Sequence, residues 1–174
     1  LLSGIDTLGL LREQIDALDY EPITTVYLLY DEDIQLPEPM IGVANSIVQW
    51  LFDRGQLGGT PGMLAAVISA RGAHSNLSRE EIALQAHQAV EALFESAFPL
   101  LAAPKWSTVI TEKRATFACR PGVLRPRHVT PVKNLLLAGD YVDSPYPATL
   151  EAAVRSGLSA ARHIVRIAQQ TPEI

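Results

Sequence analysis

The sequence predicts an α+β fold: an antiparallel (mixed) sheet with packing helices, followed by a C-terminal strand–turn–helix. Three observations predict it. Ile23 to Tyr30 is rich in β-branched and aromatic residues, and shorter segments of the same character recur as far as Ser69 between turn-forming residues. Helical periodicity appears at Leu8–Tyr20, after Ser78 and from Leu150 onward. Between Asn134 and Gly157 an apolar run, a Gly-Asp pair, two prolines and a helix start follow one another directly.

Taken in order, Leu8, Leu11, Ile15 and Leu18 fall on one face of a first helix, which Glu21-Pro22 should break. Ile23–Tyr30 is expected as a strand apolar on both faces, and Asp31–Pro39 as an acidic, proline-containing loop. Met40–Ile47, Val48–Asp53 and Met63–Ser69 are expected as further strands of an antiparallel meander, with Arg54–Gly62 as a glycine-rich turn. Ser78 and Glu81 have capping-box spacing. The helix they open carries Ile82, Ala86, Ala89, Val90, Leu93 and Phe94 on one face and should end near Phe98-Pro99. Trp106–Phe117 returns as a strand, and Arg120–Pro131 forms a connector.

Composition bounds the function. Length and a hydrophobic content near half suit a compact domain with a substantial core. A net charge of -5 without a basic patch argues against a nucleic-acid partner. The single cysteine, Cys119, cannot form an intrachain disulfide and fits a reducing, cytoplasmic compartment. No apolar run is long enough for a transmembrane helix. The chain starts at Leu1 and has its first methionine at Met40, so we expect a piece of something longer.

The stretch from Asn134 carries the chemistry. Leu135, Leu136, Leu137 and Ala138 read as a strand covered on both faces. Gly139 permits a sharp turn or a close ligand approach, and Asp140 sets a carboxylate where it can accept hydrogen bonds from sugar hydroxyls. Pro147 and Thr149 are helix-start residues. Beyond them Leu150, Ala153, Val154, Gly157, Leu158, Ala161, Ile164, Val165 and Ala168 recur at helical spacing, opposite Glu151, Arg155, Ser159, Arg162 and Arg166. A helix N-terminus offers unpaired N–H groups and partial positive charge to an electron-rich ligand edge.

L-A-G-D followed by P-A-T-L-E-A-A-V-R-S-G resembles the C-terminal flavin-binding motif of the FAD-dependent amine oxidase and phytoene desaturase superfamily. The resemblance implies cofactor contacts at Gly139, Asp140, Pro147, Ala148, Thr149 and Leu150. The acid would hold the ribityl–pyrophosphate region, and the Ala-Thr-Leu backbone would cap the pyrimidine edge. The family's usual Glu-Gly-Ala is Glu151-Ala152-Ala153 here. Y-E-P-I-T-T-V-Y-L from Tyr20 resembles the strand entering that superfamily's substrate domain. Q-W-L-F-D-R-G from Gln49 and P-G-M-L-A-A-V-I-S-A from Pro61 resemble a narrower group, the squalene-associated hydroxysqualene dehydroxylases of hopanoid biosynthesis.

This resemblance implies two parts: residues 1–118 as a substrate-binding sheet with helices, and residues 119–174 as the C-terminal segment of an FAD-binding domain of glutathione-reductase type. No G-x-G-x-x-G occurs at a strand–helix boundary, so the N-terminal Rossmann element and the ADP-binding part are expected outside this chain. The implied activity is FAD-dependent oxidoreduction of a long isoprenoid, hydroxysqualene to squalene, with this piece inactive alone. A carotenoid desaturase and an amine oxidase share the motif, and a non-catalytic α+β interaction domain is the reading from another class. Expected partners are a lipid substrate, the rest of the parent polypeptide, a membrane surface touched peripherally, and a second copy through the apolar face left bare. The sequence names no general acid.

Several residues admit plainer readings. Gly55, Gly58, Gly59 and Gly62 lack a following Lys-Ser or Lys-Thr and read as a hairpin turn, not a phosphate loop. His74, His87, His128 and His163 are scattered, so no metal site is expected, and each reads as a surface or helix histidine. Cys119 reads as a small buried residue, and FAD is expected to be noncovalent. Trp50 and Phe52 either line a lipid pocket or belong to the core. Tyr141 and Tyr146 either flank the flavin ring, with Tyr146 near substrate, or lie at the surface. Arg114, Arg120, Arg125 and Arg127 form either a solvated connector or a pyrophosphate contact.

Overall fold

Five strands and three α-helices make up the computed structural model, which describes residues 6–94 and 101–170. A 3-10 turn at Asp6–Leu8 leads into α1 (Gly9–Asp16). Strand β1 (Tyr20–Leu29), β2 (Met40–Gly42), β3 (Trp50–Asp53) and β4 (Met63–Ser69) follow, then α2 (Arg79–Phe94), β5 (Trp106–Phe117) and α3 (Leu150–Gln170). The chain divides into two units: Glu21–Ala115, and Leu1–Tyr20 together with Thr116–Ile174.

The strands form one antiparallel sheet in the order β2-β3-β4-β1-β5. The meander expected from the sequence holds for β2, β3 and β4, but β4 then pairs with β1 from Ile23↔Ser69 to Leu29↔Met63. β1 is therefore an interior strand. It starts earlier than expected, at Tyr20, and α1 ends earlier, at Asp16. Pro22 is tolerated because it precedes the stretch paired with β4, where its carbonyl accepts the Ala70 N–H at 2.9 Å. β2 is shorter than the expected Met40–Ile47, since Asn45 adopts a left-handed φ of 56° and turns the chain back.

One sheet face forms the core. Val26, Leu28, Leu51, Leu64, Ala66 and Ile68 pack against Ile82, Ala86, Ala89, Val90 and Phe94 of α2. Each large aliphatic side chain buried this way contributes about 1.5–3 kcal/mol. The expected capping box is present: the Glu81 carboxylate accepts the Ser78 N–H at 2.7 Å and the Ser78 hydroxyl accepts the Glu81 N–H at 3.2 Å. The expected end of this helix near Phe98-Pro99 lies outside the described residues. Tyr30 enters the core with its hydroxyl 2.9 Å from His87 Nδ1. Burial, with Glu91 nearby, pushes this phenol above its ordinary value.

Asp53, fully buried at the end of β3, fixes the sheet's register. Its carboxylate accepts the Leu36 N–H at 3.0 Å, the Gln56 N–H at 3.0 Å and the Gln56 side-chain amide at 2.9 Å. The same amide donates to the Leu36 carbonyl at 2.7 Å. Two loops, 31–39 and 54–62, are thereby tied to one acid. Gly62 has φ +69°, and a Cβ there would lie 2.4 Å from the Asp31 carbonyl oxygen. The glycine-rich segment is thus the hairpin turn between β3 and β4.

The other unit departs more from expectation. Leu135–Ala138 is not a strand: only an isolated bridge, Leu136 with Val129, forms there. A strand needs a continuous ladder for its N–H and C=O groups. Here the Leu137 N–H reaches the His128 carbonyl at 2.8 Å, but the Leu135 N–H turns back to the Val132 carbonyl at 3.2 Å, so the pairing stops at one bridge. On α3 the buried residues are Ala152, Ser156 and Ala160, whereas Leu150, Val154, Leu158, Ile164 and Val165 are exposed. The apolar stripe read from the sequence is real and uncovered among the described residues. No described helix is long and apolar enough to cross a membrane.

Burial alone would raise the Asp53 pKa. The hydrogen bonds from the Gln56 side chain and backbone and from the Leu36 and Gly55 N–H groups outweigh it and hold this carboxyl below the usual range. Its stabilisation should be complete above the unfolded value near pH ~3.9 and lost as pH falls through the lowered folded value. Asp53→Asn should cost about 3 kcal/mol in urea melts at pH 7. It should also lose less stability than the parent between pH ~5 and ~3; equal losses in the two proteins would refute this role.

Candidate functional site

Within the C-terminal unit, the turn after Leu137 is set by glycine geometry. Gly139 has φ +152°, and a Cβ on it would lie 2.4 Å from the Tyr141 ring, so the ring occupies the space that glycine leaves. The Gly139 N–H donates to the buried Ser156 hydroxyl of α3 at 2.9 Å, and its carbonyl accepts the Val142 N–H at 3.3 Å. The turn is therefore fastened to the helix that follows it. Burial, then Tyr20 and Asp140, raise the pKa of the half-buried Tyr141 phenol. The Asp140 carboxylate makes no hydrogen bond or ion pair among the described residues and is free to accept from a ligand.

Arg125 holds the loop between turn and helix. Its guanidinium donates to the Tyr146 carbonyl at 3.0 Å, to the Ser144 carbonyl and, at 3.5 Å, to the Asp140 carbonyl. It also stacks over Phe117, 5.3 Å from the ring centroid. Of the four arginines the sequence offered as solvated connector or anion contact, this one is an internal strut. Its fork of donors matches three backbone carbonyls that face inward across a tight loop. The signal was too general to find it, because an arginine between prolines has no distinctive spacing.

Thr149 is the N-cap of α3. Its hydroxyl accepts the Ala152 N–H at 3.2 Å and donates to the Pro147 carbonyl at 3.2 Å, and its carbonyl accepts the Ala153 N–H at 3.1 Å. The N–H groups of Thr149, Leu150 and Glu151 have no partner among the described residues. Glu151 pairs with Arg155, whose guanidinium lies 4.9 Å from the Tyr146 ring centroid. The Ala148 N–H, expected as a ligand donor, is instead directed at Cys119 Sγ, 3.4 Å away. Cys119 is exposed, contrary to the expected buried position. Phe117 and Ala118 take the buried places at the end of β5, so the next side chain turns outward to the start of α3.

In the unit built on the sheet, Trp50 and Phe52 are not core residues. Leu51 and Asp53 alternate with them on the buried side. Trp50 is 43% exposed and Phe52 half-buried. Directly paired residues share a face. Trp50 pairs with Gly42 and Val67, and Val67 with Thr25; Phe52 pairs with Met40 and Ala65, and Ala65 with Tyr27. Leu29 and Met63 continue the surface. An antiparallel sheet normally turns polar residues outward on its second face. Here that face is mainly apolar across four strands, with Thr25 and the Tyr27 hydroxyl as its polar groups, which suits it to an apolar ligand or partner.

The histidines hold no metal cluster among the described residues. His128 Nδ1 lies 3.2 Å from the Leu137 carbonyl, His163 Nδ1 lies 3.1 Å from Arg166, and His87 meets Tyr30. His74 lies in a short 3-10 helix, Ala73–Asn76, one of the two placements expected for it, and is buried there. Trp50 and Phe52 belong to one unit and Tyr146, Asp140 and the α3 N-terminus to the other.

Within the C-terminal unit the residues present fit a flavin: N–H donors at a helix start and a carboxylate after a glycine turn, neither with a partner among the described residues. Comparison with known proteins agrees. Residues 7–165 match the family of flavin containing amine oxidoreductases. The chain is 34% identical over 145 residues to a hydroxysqualene dehydroxylase of Rhodopseudomonas palustris, covering 82% of this chain and 32% of that protein. It is 32% identical over 114 residues to a zeta-carotene desaturase of Solanum lycopersicum, covering 64% of this chain and 19% of that one. Among solved structures, a protein of Exiguobacterium sp. 255-15 aligns with a TM-score of 0.60 at 17% identity, over 87% of this chain and 36% of its own. An oxidoreductase from Methanosarcina mazei aligns at 0.55 and 12%, over 90% and 37%. The chain thus spans about a third of the length of the hydroxysqualene dehydroxylases it matches. With its family model matched from one end of the described residues almost to the other, this chain belongs to the flavin-containing amine oxidoreductases.

Proposed function

We propose that this chain forms part of an FAD-dependent oxidoreductase acting on a long isoprenoid, with hydroxysqualene as substrate and squalene as product in hopanoid biosynthesis. The observation that carries the reading is the apolar second face of the sheet, in a chain whose relatives include hydroxysqualene dehydroxylases. Reduced flavin would supply the hydride that replaces the allylic hydroxyl, which would leave as water on taking up a proton, with oxidised flavin as the other product. Residues 1–118 serve as the substrate-binding portion and 119–174 as the C-terminal segment of the FAD-binding domain.

The chain's own residues bind and orient. Asp140 accepts hydrogen bonds from the ribityl–pyrophosphate region. The N–H groups of Thr149 and Leu150 face the pyrimidine edge of a noncovalently held ring, where the helix dipole favours negative charge. Pro147 and Ala148 lead the backbone into that position, Gly139 sets the turn, and Arg125 keeps the loop in shape. Trp50, Phe52 and Tyr146 contact the hydrocarbon and exclude water. The exposed row on α3 is covered by the rest of the parent polypeptide, which supplies the ADP-binding part; the protein works in the cytoplasm, peripherally at the membrane. Zeta-carotene desaturation is the second reading, favoured by the matches to those desaturases. A long linear hydrocarbon suits the same sheet face.

A flavin titration of this chain beside the longer polypeptide tests the reading: only the longer protein should turn yellow and retain FAD, and failure of both to bind would remove it. In the longer protein, Asp140→Ala should weaken FAD binding about tenfold or more. Arg125→Ala should lower flavin retention and raise proteolysis between residues 140 and 146, with Arg125→Lys restoring part of each. Trp50→Asp should raise KM for hydroxysqualene with flavin content unchanged. Turnover of zeta-carotene but not hydroxysqualene would select the second reading.

A further inference from the structure

A cleft of about 390 Å³ opens between β1, β5 and the start of α2, within the unit of residues 21–115. Its polar wall is cationic: Arg71, Arg79 and Lys113, with the Thr24 and Thr111 side chains and His74. Leu77, Ile82 and Val109 line the remainder. His74 is only 7% exposed, yet its imidazole makes no hydrogen bond among the described residues. No side-chain nitrogen or oxygen shut off from solvent lacks a partner among the described residues, so the His74 ring nitrogens are open to solvent and available to a ligand.

The surrounding charges point the same way. Arg71 is the one cation here with a carboxylate beside it, Glu21 at 3.7 Å. Arg79 and Lys113 make no ion pair among the described residues. Arg79 also stands in the first turn of α2, the helix end where positive charge is unfavourable without an anion. Glu80 and Glu81 share that turn, but Glu81 is committed to Ser78. The hydroxyls of Thr24 and Thr111 lie 2.9 Å apart. Their mutual bond uses one of two hydroxyl protons, so the other can be donated.

We propose that this cleft binds a phosphate- or diphosphate-bearing anion carrying a short apolar part, independently of the flavin reading. Arg79 and Lys113 supply the charge, His74 and the threonine pair supply hydrogen bonds, and Leu77, Ile82 and Val109 receive the apolar part. The ligand is either a soluble phosphate ester or the headgroup of an anionic lipid, since both present the same chemistry.

Calorimetric titration of the chain with inorganic pyrophosphate, beside co-sedimentation with phosphatidylcholine vesicles with and without phosphatidylglycerol, tests this. Saturable pyrophosphate binding identifies a soluble ester, and sedimentation only with the anionic vesicles identifies a headgroup. Arg79→Ala and Lys113→Ala, both exposed positions, should each weaken binding about tenfold while Arg12→Ala leaves it unchanged. The His74 imidazole proton resonances should shift on saturation. Binding of neither probe, equal binding by the Arg79 and Lys113 variants, or an unmoved His74 would overturn the proposal.

Discussion

The sheet depends on one buried carboxylate. Asp53 receives hydrogen bonds from both flanking loops and so decides which β3 residues face which way. Side chains alternate with a period of two, so a slip of one residue would carry Trp50 and Phe52 into the core and turn Leu51 and Asp53 out. An acid can fill this place because several donors, from Leu36, Gly55 and Gln56, converge on it; an uncompensated buried charge would be prohibitive. The short segment W-L-F-D-R-G thus contains both a potential ligand face and the device that aims it.

The C-terminal unit solves a similar problem without regular structure. Between Leu137 and Thr149 the chain has no strand and no helix, yet few of its polar groups are left to chance. Ser156 holds the Gly139 N–H, Arg125 gathers carbonyls, and Thr149 closes the first turn of α3. What remains open among the described residues includes a small set of N–H groups and the carboxylates of Asp140 and the exposed Asp143. Local satisfaction elsewhere makes the N–H groups and Asp140 stand out as the ones kept for a ligand.

Much of this was legible in the sequence, for identifiable reasons. Periodicity located β1, β4, β5, α2 and α3, and the Ser78–Glu81 spacing gave the α2 cap, because these signals are local. Pairing order was not legible, since which strand lies beside β1 is settled by long-range packing. The Leu135–Ala138 run reads as a strand by composition, but strand formation requires a neighbour that composition does not supply. Cys119 and Arg125 were misjudged for a related reason. Their environments are made largely by residues well beyond the local window: Ala148 for Cys119, and Asp140, Ser144 and Tyr146 for Arg125.

The tie between Gly139 and Ser156 bears on how this region can vary. Turn and helix are joined by one hydrogen bond that spans 17 residues, while Arg125 grips the loop between them from outside. A loop clamped at both ends and at its middle has a set length. Substitutions at its outward positions, such as Asp143 or Pro145, leave those clamps intact. An inserted or deleted residue would shift Asp140 relative to the first turn of α3 and break their spacing. Side chains here are therefore freer to drift than the number of residues between them.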